Sequence, residues 1–149
     1  MAVLVRGIGF DDVTAAVHLL RGGSLAAQFE DEDQVSDYWE AVEETRRRLG
    51  DVLVAEENGE VVGVCQVIVF QHFLHRAGWC CELESVHVRS DQRSRGIGAS
   101  LLAATEALAK ERGCYRIQLT SRNVRGDAHR FYVANGYEAT SQGFKKFFD

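Results

Sequence analysis

The run Glu84-Ser85-Val86-His87-Val88-Arg89-Ser90-Asp91-Gln92-Arg93-Ser94-Arg95-Gly96-Ile97-Gly98-Ala99-Ser100-Leu101-Leu102 constrains this chain more than any other. It opens with β-branched residues at Val86 and Val88, passes through a polar, basic loop and enters a helical pattern. Arg93, Ser94, Arg95, Gly96 and Gly98 therefore stand where a helix begins. A helix start leaves backbone N–H groups without intrahelical acceptors, and the helix dipole adds partial positive charge there. Glycines let a ligand approach that backbone closely, so the junction is a candidate cradle for an anion.

Two familiar phosphate motifs do not fit. No Gly-x-x-x-x-Gly-Lys-Ser/Thr run exists in the chain, which excludes a P-loop. A dinucleotide fingerprint needs Gly or Ala three residues after its second glycine, where this chain has Leu101. The pattern present is Arg/Gln-x-x-Gly-x-Gly/Ala after a strand, filled by Arg93, Gly96 and Gly98. A second pattern follows downstream: Ala-x-x-Phe-Tyr, then x-x-x-Gly-Tyr, filled by Ala128, Phe131, Tyr132, Gly136 and Tyr137. In this order, the two motifs resemble those of the GNAT superfamily of acetyl-CoA-dependent N-acetyltransferases. The first looks like its pyrophosphate loop and the second like its closing signature.

Composition agrees with a globular chain of one domain spanning 1–149, with 46% hydrophobic and 26% charged residues. A net charge of −5 argues against nucleic acid or an anionic membrane as partner. The start of the chain is charged too early for a secretory signal, and no apolar run approaches the ~20 residues of a spanning helix. Cys65, Cys80, Cys81 and Cys114 lack the spacing of a disulfide framework, so a cytoplasmic chain with free thiols is expected. His72, His75, Cys80 and Cys81 offer themselves as zinc ligands. Adjacent cysteines on a strand point to opposite faces, however, and no Cys-x-x-Cys pair exists, so no metal is expected.

Taken in order, Val3 to Ile8 reads as a strand, and Asp11-Asp12 as the cap of a helix with Val13, Ala16, Val17 and Leu20 on one face. An acidic run, Glu30 to Asp33, leads into a second helix with a stripe of Val35, Tyr38, Trp39, Val42 and Leu49. Asn58-Gly59 predicts a hairpin between strands 51–56 and 60–71. The strand 79–89 enters the glycine loop. A helix with Ile97, Leu101, Ala104 and Leu108 on its stripe then leads to a strand at 115–120, which implies a right-handed parallel crossover. A short helix, 127–135, and a closing hairpin of 137–140 with 144–148 complete the chain, with Asp127 as helix N-cap. The order β-α-α-β-β-β-α-β-α-β-β is an α/β fold and matches the GNAT layout. That resemblance implies a mixed, mostly antiparallel sheet with a splayed parallel pair, flanked by about four helices.

Acetyl transfer to an amine sets three tasks: removing a proton from the amine, stabilising the carbonyl oxygen and protonating the departing thiolate. The resemblance points to Glu84 as base; Glu82 shares its face by period two, and a water relay stays open. The backbone of Val86, His87 and Val88 is expected to meet the pantetheine arm, and the resemblance implies an amide on the thioester oxygen, for which Val88 is the candidate. Alternation sends the His87 side chain opposite to Glu84 unless a bulge reverses it. Arg93, Ser94, Arg95, Gly96, Ile97, Gly98 and Ala99 would hold the pyrophosphate. The resemblance makes Tyr132 the general acid and Asn123 the pantetheine contact, although in many relatives that asparagine lies closer to the tyrosine.

The expected function is N-acetyltransfer directly from acetyl-CoA, as cosubstrate, to a primary amine of a small molecule or peptide. The acids between Glu30 and Glu44 favour a cationic small molecule. The alternative is a non-catalytic acetyl-CoA-binding or regulatory module. Homodimers are common among members of the superfamily.

Overall fold

Alternating apolar residues build the sheet, and its tightest turn, at Asn58-Gly59, uses the residues that left-handed backbone favours. The computed structural model describes residues 2–23 and 27–148. They fall into two compact units, Met1–Gln118 and Leu119–Asp149.

The first unit holds a five-stranded sheet in the order β1-β2-β3-β4-β5. Its strands are β1 (Leu4–Gly7), β2 (Asp51–Glu57), β3 (Glu60–Gln71), β4 (Trp79–Val88) and β5 (Cys114–Gln118). All neighbours are antiparallel except β4 and β5, which run parallel. The β2–β3 turn is the predicted Asn58-Gly59, with φ of 53° and 76°; two positive φ values match the twist of a tight hairpin. Helices α1 (Val13–Gly23) and α2 (Val35–Arg47) precede β2, and α4 (Ile97–Glu111) makes the crossover from β4 to β5. Between β3 and β4 lies α3 (Leu74–Ala77), a single turn in which His75, Arg76 and Ala77 all have positive φ.

Neighbouring residues of β3 show how the layers are arranged. Gln66 donates to Thr45 of α2 at 3.0 Å, while Cys65 lies 3.7 Å from Thr105 of α4. Since successive strand residues face opposite sides, α1 and α2 cover one face and α4 the other. Ile8, Val13, Ala16, Val17, Val42, Val54 and Val64 form the core under α1 and α2. Beneath α4, Ile97, Leu101, Leu102, Thr105 and Ala109 are buried. The helical stripe is thus rotated from the expected one, because Ala104 and Leu108 are only half-buried. Thr105 is tolerated there because its hydroxyl donates to the Leu101 carbonyl at 2.9 Å.

Two local expectations are corrected. Leu49 falls beyond α2 with φ of 71° and is 43% exposed, so it does not extend that helix's stripe. In the second unit, α5 spans Gly126–Ala134, and no strand forms between 137 and 148. Phe144, Phe147 and Phe148 are exposed there, so no buried face specifies a pairing register for the expected hairpin. Among the described residues no helix is long and apolar enough to cross a membrane, and no three His, Cys, Asp or Glu are grouped to hold a metal ion.

Candidate functional site

The parallel β4–β5 ladder ends at the pair Glu82 and Gln118, while β4 continues to Val88 alongside β3. That end is tied by side chains. Gln118 Nε2 donates to Glu82 Oε2 at 2.7 Å, and Arg116 Nε donates to Gln118 Oε1 at 3.1 Å. The Glu82 carboxylate is therefore engaged where the two strands part.

Beyond this point β4 carries a bulge. Its register with β3 passes from Glu84↔Gln66 to His87↔Val64, so three steps on β4 match two on β3, and Ser85 takes φ of 56°. The extra residue returns His87 to the face of Glu84, correcting the simple alternation that would separate them. Both then face the α1–α2 side. There Gly23, ending α1, lies so close that a Cβ would stand 2.5 Å from His87 Cδ2. Val88 pairs with Gly63, and the next amide, Arg89 N, donates to Val62 O at 2.8 Å.

The loop after β4 turns twice through left-handed backbone, at Ser94 (φ 63°) and Gly96 (φ 83°), before α4 starts at Ile97. No side chain caps this helix. Its first return bond is Ser100 N to Gly96 O at 3.0 Å, so the preceding amides of Ile97, Gly98 and Ala99 have no intrahelical acceptor. Three N–H groups thus stand together at the positive end of a 15-residue helix. Arg93 is exposed and its Nε donates to Val88 O at 3.3 Å. Arg95 is committed differently: Nη2 donates to Glu57 Oε1 at 3.0 Å, and Nη1 donates to Gln92 Oε1. Val86, His87, Val88 and the run Arg93 to Ala99 are thus brought onto one strand–loop–helix connection.

Asn123 and Tyr132 belong to the second unit. Asn123 is exposed in the turn before α5, and Tyr132 is half-buried on that helix. The Tyr132 ring lies edge-on to Phe131 and Tyr137, at centroid distances of 5.2 and 5.9 Å. Arg125 takes the N-cap position of α5, not Asp127, which instead pairs with Arg130 inside the first turn.

The Acetyltransferase (GNAT) family model matches residues 16–137. The chain belongs to the GNAT acetyltransferase family. The aminoalkylphosphonate N-acetyltransferase of Salmonella typhimurium is 38% identical to this GNAT chain over 93 residues, 62% of this chain and 60% of that protein. A probable glucosamine 6-phosphate N-acetyltransferase of Drosophila melanogaster is 26% identical over 88 residues, 59% of this chain and 39% of that protein. The matches thus span less than two thirds of these curated relatives. A solved structure, described as a transcriptional regulator from Bacillus halodurans C-125, is 32% identical. It covers 99% of this chain and 100% of its own, with a TM-score of 0.90. The mixed sheet with its parallel β4–β5 pair is the GNAT fold expected from the motifs.

Sequence reasoning about this GNAT chain missed two residues that shape the site. Gln118 ties the end of the parallel ladder, and Glu57 holds Arg95. A signal for Glu57 existed: it continues the inward period of Leu53 and Ala55, where an acid is out of place without a partner. Gln118 had no comparable signal, because its role depends on which strand lies beside β5.

Proposed function

We propose that this chain is an N-acetyltransferase that passes acetyl directly from acetyl-CoA to a small primary amine. The observation that carries the reading is the uncapped first turn of α4, entered through left-handed Gly96 at the end of β4, in a chain of the GNAT family. Its residues fit a coenzyme A pyrophosphate: Ile97, Gly98 and Ala99 would donate backbone N–H groups, with Arg93, Ser94, Arg95 and Gly96 around them. Acetyl-CoA supplies the acetyl thioester; the protein's part is to position and to move protons.

Glu84 takes a proton from the attacking amine, directly or through water. With Arg89 N directed to β3, strand alternation turns the Val88 amide towards the other edge of β4, where it can donate to the thioester oxygen. The new C–N bond forms as the C–S bond breaks, and the Tyr132 hydroxyl gives its proton to the departing sulfur. Asn123 is assigned to the pantetheine amides, and Val86 and His87 to its backbone contacts. We further propose that residues 1–149 form one domain and that the protein acts in the cytoplasm, in keeping with its four free cysteines.

For the acceptor, the relatives' names weigh towards an amine that also carries a phosphonate or phosphate. The acidic region weighs less towards a cation than its composition implies. Glu32 already binds Arg21 at 2.8 Å, and Glu44 binds Arg47 and Arg48. Thiol release should therefore be measured with aminoalkylphosphonates, glucosamine 6-phosphate, a polyamine, an aminoglycoside and peptides. Turnover with a phosphorus-bearing amine is expected. Glu84→Gln should lower kcat by about 10²-fold or more and remove the acid limb of the pH profile, and Tyr132→Phe should lower kcat on a similar scale. Normal turnover by Tyr132→Phe would remove the proposed acid. A second reading, an acetyl-CoA-responsive regulator without turnover, is favoured by the description of the 32% identical structure as a transcriptional regulator. Tight acetyl-CoA binding with no acetylation across the panel would decide for it.

A further inference from the structure

In β2, period two directs Leu53, Ala55 and Glu57 to the face covered by α4. The first two are ordinary core residues. The third is a carboxylate whose side chain is only 7% exposed, a costly placement unless something pairs with it. Glu57 Oε1 accepts a hydrogen bond from Arg95 Nη2 at 3.0 Å; Oε2 accepts none from the described residues. The other arm of the same guanidinium donates to Gln92. Arg95 therefore bridges the end of β2 to the loop before α4, across 38 positions of sequence.

The bridged loop contains Ser94, a non-glycine residue in left-handed backbone, and Gly96, also left-handed. A serine takes that conformation only where its surroundings hold it. The direction of the first α4 amides depends on this double turn. A guanidinium facing a buried carboxylate is also a poor direct ligand for a phosphate, since its charge is balanced and two of its donors are in use.

We propose that Glu57 is a positioning residue for the cosubstrate loop, acting through Arg95. Arg95 serves as the loop's anchor to the sheet, and contact with the pyrophosphate falls to the α4 amides and Arg93. This inference rests on the reading that the loop holds coenzyme A.

The test is calorimetric titration of the full chain with coenzyme A, together with initial rates against acetyl-CoA. Wild type, Glu57→Ala, Glu57→Gln, Arg95→Ala and the double variant Glu57→Ala/Arg95→Ala are compared. Glu57→Ala is expected to weaken coenzyme A binding about tenfold, the scale of a lost hydrogen bond to a charged group. KM for acetyl-CoA should rise in step, and kcat at saturation should change by less than about twofold, as for a lost binding contribution. Glu57→Gln keeps the shape and an acceptor for Arg95, so it should recover part of the affinity. The double variant should bind no more weakly than Arg95→Ala alone, because both changes break one bridge. Additive losses, or wild-type affinity in Glu57→Ala, would overturn the proposal while leaving the functional reading intact. Failure of the wild type to bind coenzyme A would overturn both. Should Glu57→Ala fail to fold, the comparison of Glu57→Gln with Arg95→Ala carries the same decision: equal wild-type affinity in both rejects it.

Discussion

Asp12 shows how much one carboxylate can hold together. It accepts from Arg6 Nη1 at 2.6 Å and Nη2 at 3.1 Å, and from Gly9 N at 2.8 Å. The Arg6 hydrogen bonds hold its carboxyl below the usual aspartate range, partial burial opposes them, and the Gly9 amide adds to the lowering. A native value below the unfolded one of about 3.9 means that the unfolded chain takes up the proton first as pH falls. The contribution is thus complete above that unfolded value and is lost as pH drops through the native one. Asp12→Asn should cost about 1 kcal/mol at pH 7, as expected for a charged hydrogen bond that is partly exposed. Urea titrations should show the gap between variant and wild type closing as pH falls below the usual aspartate range and Asp12 protonates in the folded state as well. Burial raises thiols just as it raises this carboxyl, pushing Cys65 to about 11 and Cys81 to about 12. These cysteines are core residues rather than nucleophiles.

Between elements, the closest constraint lies where α2 turns into β2. A Cβ on Gly50 would stand 2.1 Å from the Val67 carbonyl oxygen and 3.0 Å from Thr45 Cγ2. The oxygen belongs to the backbone of β3, so nothing can swing aside, and the turn must lift off the sheet. Gly50→Ala should cost about 2 kcal/mol or more, a drop in Tm of about 4–8 °C for a chain of this size. Gly63→Ala is the informative comparison, because its new Cβ would meet only side chains, Leu101, Ile97 and Ala55, at 3.1 to 3.3 Å. Its effect on Tm should be distinctly smaller. Melting of both variants followed by circular dichroism checks the pair, and equal losses would show that close approach is not what Gly50 provides.

At the scale of the whole molecule, ligand binding and unfolding are linked. A ligand that binds only the folded chain, at about 100 times its Kd, adds about 2.7 kcal/mol of stability. Saturating acetyl-CoA should therefore raise Tm by about 5–10 °C, and desulfo-coenzyme A should do nearly as well, because it keeps the pyrophosphate that the proposed site would hold. Differential scanning fluorimetry reads this directly. No shift at saturation would count against the proposed cosubstrate. The proposal of one domain is checked alongside: tryptophan fluorescence, from Trp39 and Trp79 in the first unit, and far-ultraviolet circular dichroism should trace one coincident transition.

Much of this was legible in the sequence because it depends on local chemistry. Asn58-Gly59 forces a tight hairpin wherever it falls between strands, and Gly113 and Gly136 end their helices through positive φ that few other residues accept. The strand, the glycine loop and the helix start from Val86 to Ala99 were readable for the same reason, since backbone amides at a helix N-terminus seek an anion whatever surrounds them. What required the tertiary structure depends on which strand lies beside which. The bulge at Ser85 brings His87 round to the face of Glu84, and the Glu82–Gln118 bond closes the parallel ladder. The buried Glu57 reaches Arg95 from a distant hairpin. Register and cross-strand partners are set by packing over the whole sheet, so no local pattern encodes them. The sequence by itself determined that this chain enters a helix through a glycine-bearing loop at the end of a strand; only the folded sheet decided that the buried Glu57 pairs with Arg95 of that loop.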